Sequence, residues 1–436
     1  MSDAGRLIKE DGPRLGHIPS FDGFRGLFVL QVVLYHALVT DFLKGSPIII
    51  DWFFVASGFL ITSLLLDERR ATGNTNLRRF YQRRALRLFP AMYLMIGVAT
   101  ILLIIGVTFV PGVSEQLGDW WIEPIAAATY SYYVVAAFMP GTLDGVLGHT
   151  WSLTVEEQFY FIWPLVFLAA ARRKRRSADL KLIVGSVLFV VVVMGTRVVF
   201  HSQVVEFFPG GLGSGTGQVI AQTQLGEPTT PWVLKEVVFT DEGDPTWQGI
   251  VYRLASARPD MIVYGCLLAF ANRAIPRPLT ERWRRGVAIG GAMGWVGFFA
   301  FLALGNRVVG FELFGGPIYQ VCLLLLAPLI LDLYLRQESW ASRGLSHPAL
   351  KWLGVRSYGI YLWHVPVLLI FLAAMDGVYG ARRLALGLIG SALGVLAGIA
   401  SFRFIEQPFL RIKDRKYQRP QGQAVETPSD AGGAAT

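Results

Sequence analysis

Phe89-Pro-Ala-Met-Tyr-Leu-Met-Ile-Gly-Val-Ala-Thr-Ile-Leu-Leu-Ile-Ile-Gly-Val-Thr-Phe-Val110 runs for 22 residues without a charge. As a helix it measures about 33 Å at ~1.5 Å per residue, enough to cross roughly 30 Å of hydrocarbon. The stretch before it, 67–88, has the opposite character and holds Arg69, Arg70, Arg78, Arg79, Arg83, Arg84 and Arg87. An apolar run abutting a basic loop reads as a span anchored on the cytoplasmic side, because Lys and Arg are retained there during insertion.

Working outward, further apolar segments fall at 24–40, 48–66, 122–139, 154–171, 180–200, 250–272, 286–304, 315–335, 354–375 and 384–404. A second basic loop, 172–176, reads Arg-Arg-Lys-Arg-Arg. If both basic loops are cytoplasmic, an even number of crossings separates them, yet three apolar segments lie between. The weakest is 122–139, rich in Ala, Tyr and Ser, so it is expected to be re-entrant or interfacial. Irregular polar backbone at membrane depth must be buried in protein or line a wet cavity. The remaining loops then agree: 273–285, 336–353 and the residues after Arg403 are basic and inside, while 111–123 and 201–249 are acid-biased and outside. The predicted fold is therefore an all-α polytopic membrane protein with about ten transmembrane helices and both termini cytoplasmic. Residues 1–20 form a cytoplasmic lead, 21–409 the membrane domain, and 410–436 a disordered cytoplasmic tail with no second folded domain.

Composition supports this class. Hydrophobic residues make up 53% of the 436 and charged residues 16%, which excludes disorder and collagen-like fibre. The net charge of +9 places Arg clusters between spans, not on an aromatic-interleaved surface, so nucleic acid is not an expected partner. Cys266 and Cys322 both lie in apolar runs without neighbouring ligand residues and read as core packing, with no metal or redox pair expected. No small-residue cleavage site follows the first apolar run, so the first helix is expected to be retained. The glycine-rich stretch after Phe208 lacks the Gly-Lys-Ser/Thr ending of a phosphate loop and reads as linker.

Ionisable residues inside spans are costly, about 2.5–3.5 kcal/mol at the centre, and each therefore asks for a reason. Arg25 and His36 share the first span, separated by roughly 16 Å of helix at ~1.5 Å per residue. Asp51 opens the second span from outside, and Trp151-Ser152-Leu-Thr-Val-Glu156-Glu157 opens the fourth span, also from outside, which sets three carboxylates near the level of His36. Thr154 and Glu157 also match a capping box, an ordinary structural role. Arg253, Arg258 and Asp260 fall at the outer half of the sixth span, where a buried Arg needs a partner and Asp51 or Glu156 is the natural one. Arg84 and Arg87 suit phosphate oxygens, although a basic inner rim explains them equally well. His364 sits mid-span among aromatics and reads as packing or substrate contact. His17, His149, His201 and His347 lie in loops and are given no role.

Five motifs stand in order: Arg25-x10-His36, Phe53-Phe54-x-x-Ser57-Gly58-Phe59, Arg84-x-x-Arg87-Leu-Phe-Pro90, Trp151-Ser152-Leu-x-Val-Glu156-Glu157-Gln-Phe-Tyr160 and Ser357-Tyr358-x-x-Tyr361-Leu-x-His364. Together, from about Phe21 to Phe409, they resemble the acyltransferase family 3 of integral membrane O-acyltransferases. That resemblance implies a ten-helix core taking an acyl group (acetyl, succinyl or similar) from cytoplasmic acyl-coenzyme A. The acceptor would be a hydroxyl of an extracytoplasmic or lipid-linked carbohydrate, with no permanently bound cofactor and a place in the bacterial cytoplasmic membrane. His36 matches the family's essential His and Arg25 its paired Arg, while Arg84 and Arg87 match the coenzyme A phosphate seat.

On this reading His36 is the general base, with Glu156 or Asp51 fixing its tautomer, Glu157 beside them, and Arg258 available to a developing oxyanion. Asp51, Ser57, Trp151, Ser152, Tyr160, Tyr358 and His364 complete the expected site, and Ser57 or Ser152 would serve a covalent alternative. Two rival functions stand beside this one. One is the same chemistry on a small cytoplasmic acceptor such as a macrolide, and the other is a transporter or flippase that uses the buried charges.

Overall fold

A computed structural model of the chain describes residues 18–36, 48–109, 119–139, 142–143, 147–171, 175–207, 247–308, 324–373 and 380–417. Every regular element among these is helical. In chain order they are α1 (Pro19–His36), α2 (Ile48–Thr72), α3 (Leu77–Phe109), α4 (Ile122–Ala128), α5 (Tyr132–Phe138), α6 (Thr150–Ala171), α7 (Arg175–Phe207) and α8 (Trp247–Ser256). There follow α9 (Pro259–Ala274), α10 (Glu281–Val308), α11 (Leu326–Leu335), α12 (Trp340–Leu345), α13 (Pro348–Ala373) and α14 (Gly380–Ser401). A π-helical turn, Phe402–Glu406, then leads into α15 (Gln407–Tyr417).

Among the described residues, five stretches are long and apolar enough to cross a membrane: Ile48–Thr72, Leu77–Phe109, Ala178–Val199, Glu281–Leu302 and Leu384–Lys416. A sixth candidate is the pair α8 and α9, bent by 42° at the break between them. These helices divide by burial into an inner and an outer group. In α2, 72% of the apolar window is buried, against 22% in α7. Large apolar side chains of α3, α7, α10 and α14, such as Ile101, Val191, Val296 and Leu396, face outward. In water such a surface would be an aggregation liability; against lipid tails it is at home.

Two glycine seams set the inner helices. A Cβ at Gly26 or Gly354 would collide with the main chain of the facing helix, so α1 and α13 meet backbone to backbone. Gly58 and Gly265 do the same for α2 and α9, through the carbonyls of Ile262 and Val55. Such close approach is what holds helices together where no hydrophobic drive distinguishes neighbour from lipid. One seam aligns the helices that carry His36 and His364. The other aligns those that carry Asp51 and Arg258.

The segment 122–139 folds as two helices of seven residues each, α4 and α5. At ~1.5 Å per residue each is about 10 Å long, too short to cross. Tyr130 turns the chain between them with φ 52°, the left-handed region that few non-glycine residues occupy. Arg258, at the α8–α9 break, is the other such residue, with φ 57°.

The tail boundary needs correction. Residues expected to be disordered from 410 onward continue as α15 to Tyr417. The reason is an amphipathic pattern, Phe409 and Ile412 among Arg411, Lys413, Arg415 and Lys416, that an apolar-run criterion misses. The lead 1–17, the segment between 208 and 246, Cys322 and the tail after 417 lie outside the described residues.

Candidate active site

His36 ends α1 and is half-buried, while His364 of α13 and His149, just ahead of α6, are buried. Their rings gather, with centroids 5.0 Å apart for His36 and His364 and 5.4 Å apart for His149 and His364. The hydrogen bonds fix where the protons sit, because a carbonyl only accepts and the nitrogen facing it must donate. His364 Nδ1–H donates to Tyr361 O at 2.6 Å, which leaves His364 Nε2 as an acceptor. His36 Nδ1–H donates to Val32 O at 2.9 Å and faces His364 Nε2 at 3.1 Å. His36 Nε2 is therefore the bare nitrogen, with a lone pair free to take a proton. His149 Nε2–H donates to Leu362 O at 3.1 Å.

A brace of hydroxyls holds this array. Tyr361 Oη–H donates to His149 O at 2.7 Å, and Ser152 Oγ lies 2.6 Å from the same phenol oxygen. Among the described residues no group of three His, Cys, Asp or Glu side chains is placed to hold a metal ion. The three imidazoles face carbonyls and one another instead.

Beside the array stand the charges. Asp51 is fully buried and pairs with Arg258, whose guanidinium also lies 5.6 Å from the ring of Trp151. A second buried pair joins Arg197 of α7 to Asp260 of α9. Glu156 accepts from Ser57 and, at 3.4 Å, from Tyr160 Oη. Neither Ser57 nor Ser152 bonds an imidazole nitrogen. Glu156, expected to orient His36, is occupied by α2 through Ser57, and His364 stands where that carboxylate was expected.

At the other end of α1 a basic group forms. Arg84 pairs with Glu157 at 3.2 Å, and its guanidinium carbon lies 3.0 Å from the Tyr160 ring centroid. Arg87, one turn on, is exposed and within electrostatic reach of Arg25, Arg84 and Glu406. Tyr358 Oη donates to Leu88 O at 2.9 Å, tying α13 to this part of α3. Adjacent glutamates thus serve different regions, as the ~100° step of a helix requires: Glu156 faces α2 and Glu157 faces α3.

Of the expected residues, then, His36, His364 and Ser152 come together at one place. Arg25, Arg84, Arg87, Glu157, Tyr160 and Tyr358 gather at another, and Asp51, Trp151 and Arg258 form a paired, buried strut. His149 and Tyr361 were missed as site residues. Tyr361 lay inside a quoted motif and His149 directly before one, which was the available signal; a loop position made His149 look ordinary.

The model of a family described as "Acyltransferase domain" matches residues 18–403. The chain belongs to that family. It is similar to the peptidoglycan O-acetyltransferase OatA of Listeria monocytogenes, 29% identical over 92% of this chain and 58% of the relative. The O-acetyltransferase OatA of Staphylococcus aureus strain NCTC 8325 is 28% identical, over 93% of this chain and 59% of its own length. A putative O-acetyltransferase of S. aureus strain COL is 27% identical over 91% and 58%. The chain thus spans less than two thirds of the curated relatives it matches. No solved structure matches it.

Proposed function

We propose that this chain is a membrane O-acyltransferase that moves an acetyl group from cytoplasmic acetyl-coenzyme A to a hydroxyl of an extracytoplasmic carbohydrate, with peptidoglycan glycan as the first candidate. The observation that carries the reading is the pair of contacts at His36 Nδ1, to Val32 O at 2.9 Å and His364 Nε2 at 3.1 Å, which in a neutral ring leave Nε2 bare. A half-buried imidazole with a bare Nε2, held at its other nitrogen, is the form a general base requires. The names of the relatives supply the acyl group and the acceptor class. The ten-span arrangement with both termini inside, drawn from the parity of the basic loops, places the Arg84–Arg87 group at the cytoplasmic rim and His36 in the outer half.

The reaction follows in balanced steps. The acceptor hydroxyl gives its proton to His36 Nε2 as its oxygen attacks the thioester carbonyl. The carbon–sulfur bond breaks, the ester remains on the acceptor, and the coenzyme thiolate takes the proton back from His36. Direct transfer is favoured over an acyl-serine because Ser57 hydrogen-bonds to Glu156 and Ser152 to Tyr361, so neither hydroxyl meets the imidazole of His36. Arg87, exposed beside Arg84, is assigned to donor phosphates, for which guanidinium offers bidentate donors. Arg258, paired with Asp51, is assigned to holding α2 against the α8–α9 break.

The test compares cell-wall glycans from strains that carry the wild-type chain or His36→Ala at equal membrane level, by mass spectrometry. Loss of one O-acetyl mass increment in the variant is the expected result, a rate loss of about 10²–10⁴ being typical of a missing general base. Unchanged glycans with the protein present would send the search to other acceptors, and a different mass increment would rename the acyl group.

A further inference from the structure

We infer that His364 is a positioning residue for His36: a neutral imidazole, not a carboxylate, joins the Val32 carbonyl in holding the base in the tautomer whose Nε2 is bare. The inference rests on His36 being the base. Three observations carry it. First, the contact is direct: His36 Nδ1–H is shared between Val32 O at 2.9 Å on its own helix and His364 Nε2 at 3.1 Å on α13, and the proton on His364 is pinned at its far nitrogen by Tyr361 O at 2.6 Å. A carbonyl cannot take that proton, so the chain of bonds ends there. It orients His36 and does not relay protons away from it.

Second, His364 has no room to move. It is fully buried, and Gly394 lets the α14 backbone lie so close that a Cβ there would sit 2.9 Å from His364 Cα. His149, anchored on Leu362 O, closes the other side with its ring edge-on at 5.4 Å. Third, the carboxylates expected to serve His36 are engaged elsewhere, Glu156 by Ser57 and Asp51 by Arg258, while Glu157 stands with Arg84 in the basic group. The other groups around the pair are neutral: Tyr35 on α1, Tyr361 on α13 and Ser152 on α6. A resting site built this way holds no net charge to desolvate, which suits low dielectric. The positive charge arises only when His36 takes the acceptor's proton, and the lone pair of His364 Nε2 then receives a charge-assisted bond.

The experiment uses the full chain in lipid nanodiscs, with His364→Gln and His364→Phe. Gln places an acceptor oxygen near the position of Nε2, while Phe fills the ring volume without one. Nitrogen-15 NMR of histidine-labelled protein, with the His36 signals assigned by their loss in His36→Gln, reads the tautomer independently of activity. Expected are a His36 Nδ1–H signature in wild type and in His364→Gln, with transfer within about tenfold of wild type. His364→Phe is expected to mix the tautomers and to lose about a hundredfold in kcat at unchanged acceptor KM, within the range a misoriented base costs. An unmixed tautomer in His364→Phe, or equal activity loss in both variants, would overturn the positioning role. If wild type transfers no acyl group at all, the proposed function falls, and the tautomer spectra alone decide this inference.

Discussion

At one end of α1, His36 sits among groups that are neutral and held by carbonyls; at the other, Arg25 lies with Arg84, Arg87, Glu157 and Glu406 among fixed charges. On the proposed function, the difference follows from what each end would do. A proton carrier must change charge, so its surroundings cannot commit to either state, and imidazoles facing main-chain oxygens meet that need. An anion seat must stay charged, and Arg never loses its proton. While empty, such a seat needs acids nearby to offset it, and Glu157 and Glu406 are buried or half-buried beside it. One helix thus carries two incompatible environments, kept apart by roughly 16 Å of rise at ~1.5 Å per residue.

The strongest challenge to this comparison is the Asp51–Arg258 pair, a full charge pair near the imidazole end. If it belongs to the chemistry, the neutral character of that end is false. If it is a strut, Arg258→Met alone removes the charge partner of a buried carboxylate and is expected to cost about 3–5 kcal/mol of stability. The double change Asp51→Leu/Arg258→Met is expected to recover most of that, because apolar replacements of both partners are often neutral. Thermal unfolding in detergent reads the stability, and transfer activity of the double variant decides the role. Activity within about tenfold of wild type confirms a strut, and a loss beyond about a hundredfold makes the pair catalytic.

The basic end is sharpened by Arg87→Ala. If Arg87 holds donor phosphates as proposed, removing its cation is expected to raise the KM for acyl-coenzyme A about tenfold to fiftyfold while kcat changes little, the pattern of lost uniform binding. Steady-state kinetics at varied donor concentration checks it. Arg87→Lys is expected to recover part of the loss, since Lys keeps the charge and loses the bidentate fork. An effect on kcat with KM unchanged would place Arg87 in the transition state and blur the division between the two ends.

Much of this arrangement is legible in the sequence, for physical reasons that also mark where reading stops. Apolar length announces the helices, and the odd number of segments between two basic loops singles out 122–139, which folds as two short helices. The need of a buried Arg for a partner points to Asp51 or Glu156, and of these Asp51 pairs with Arg258. A helix step of ~100° predicts that Glu156 and Glu157 part company, but not which neighbour each finds. The partner of His36 was not legible, because it lies 328 residues away and is reached through a glycine seam between α1 and α13. His149 was passed over because loop histidines are usually solvated; here the turn before α6 is folded into the core. The amphipathic α15 hid behind its charges.

The smallest effect expected is that of Tyr361→Phe, and it probes the imidazole end most finely. Two parts of Tyr361 touch the site: its carbonyl accepts from His364 Nδ1–H, and its phenol donates to His149 O at 2.7 Å. The substitution removes the second and keeps the first. Loss of one hydrogen bond between neutral groups costs about 0.5–1.5 kcal/mol net, so kcat is expected to fall about threefold to tenfold if the brace is felt at His36. The unfolding midpoint should drop by a few degrees at most, because Ser152 can turn its hydroxyl to His149 O, already 3.3 Å away. A much larger fall in kcat with stability intact would mean that the phenol itself meets the substrate. The array would then end not in a passive brace but in a second polar contact to the acceptor, and the neutral end of α1 would extend as far as Tyr361.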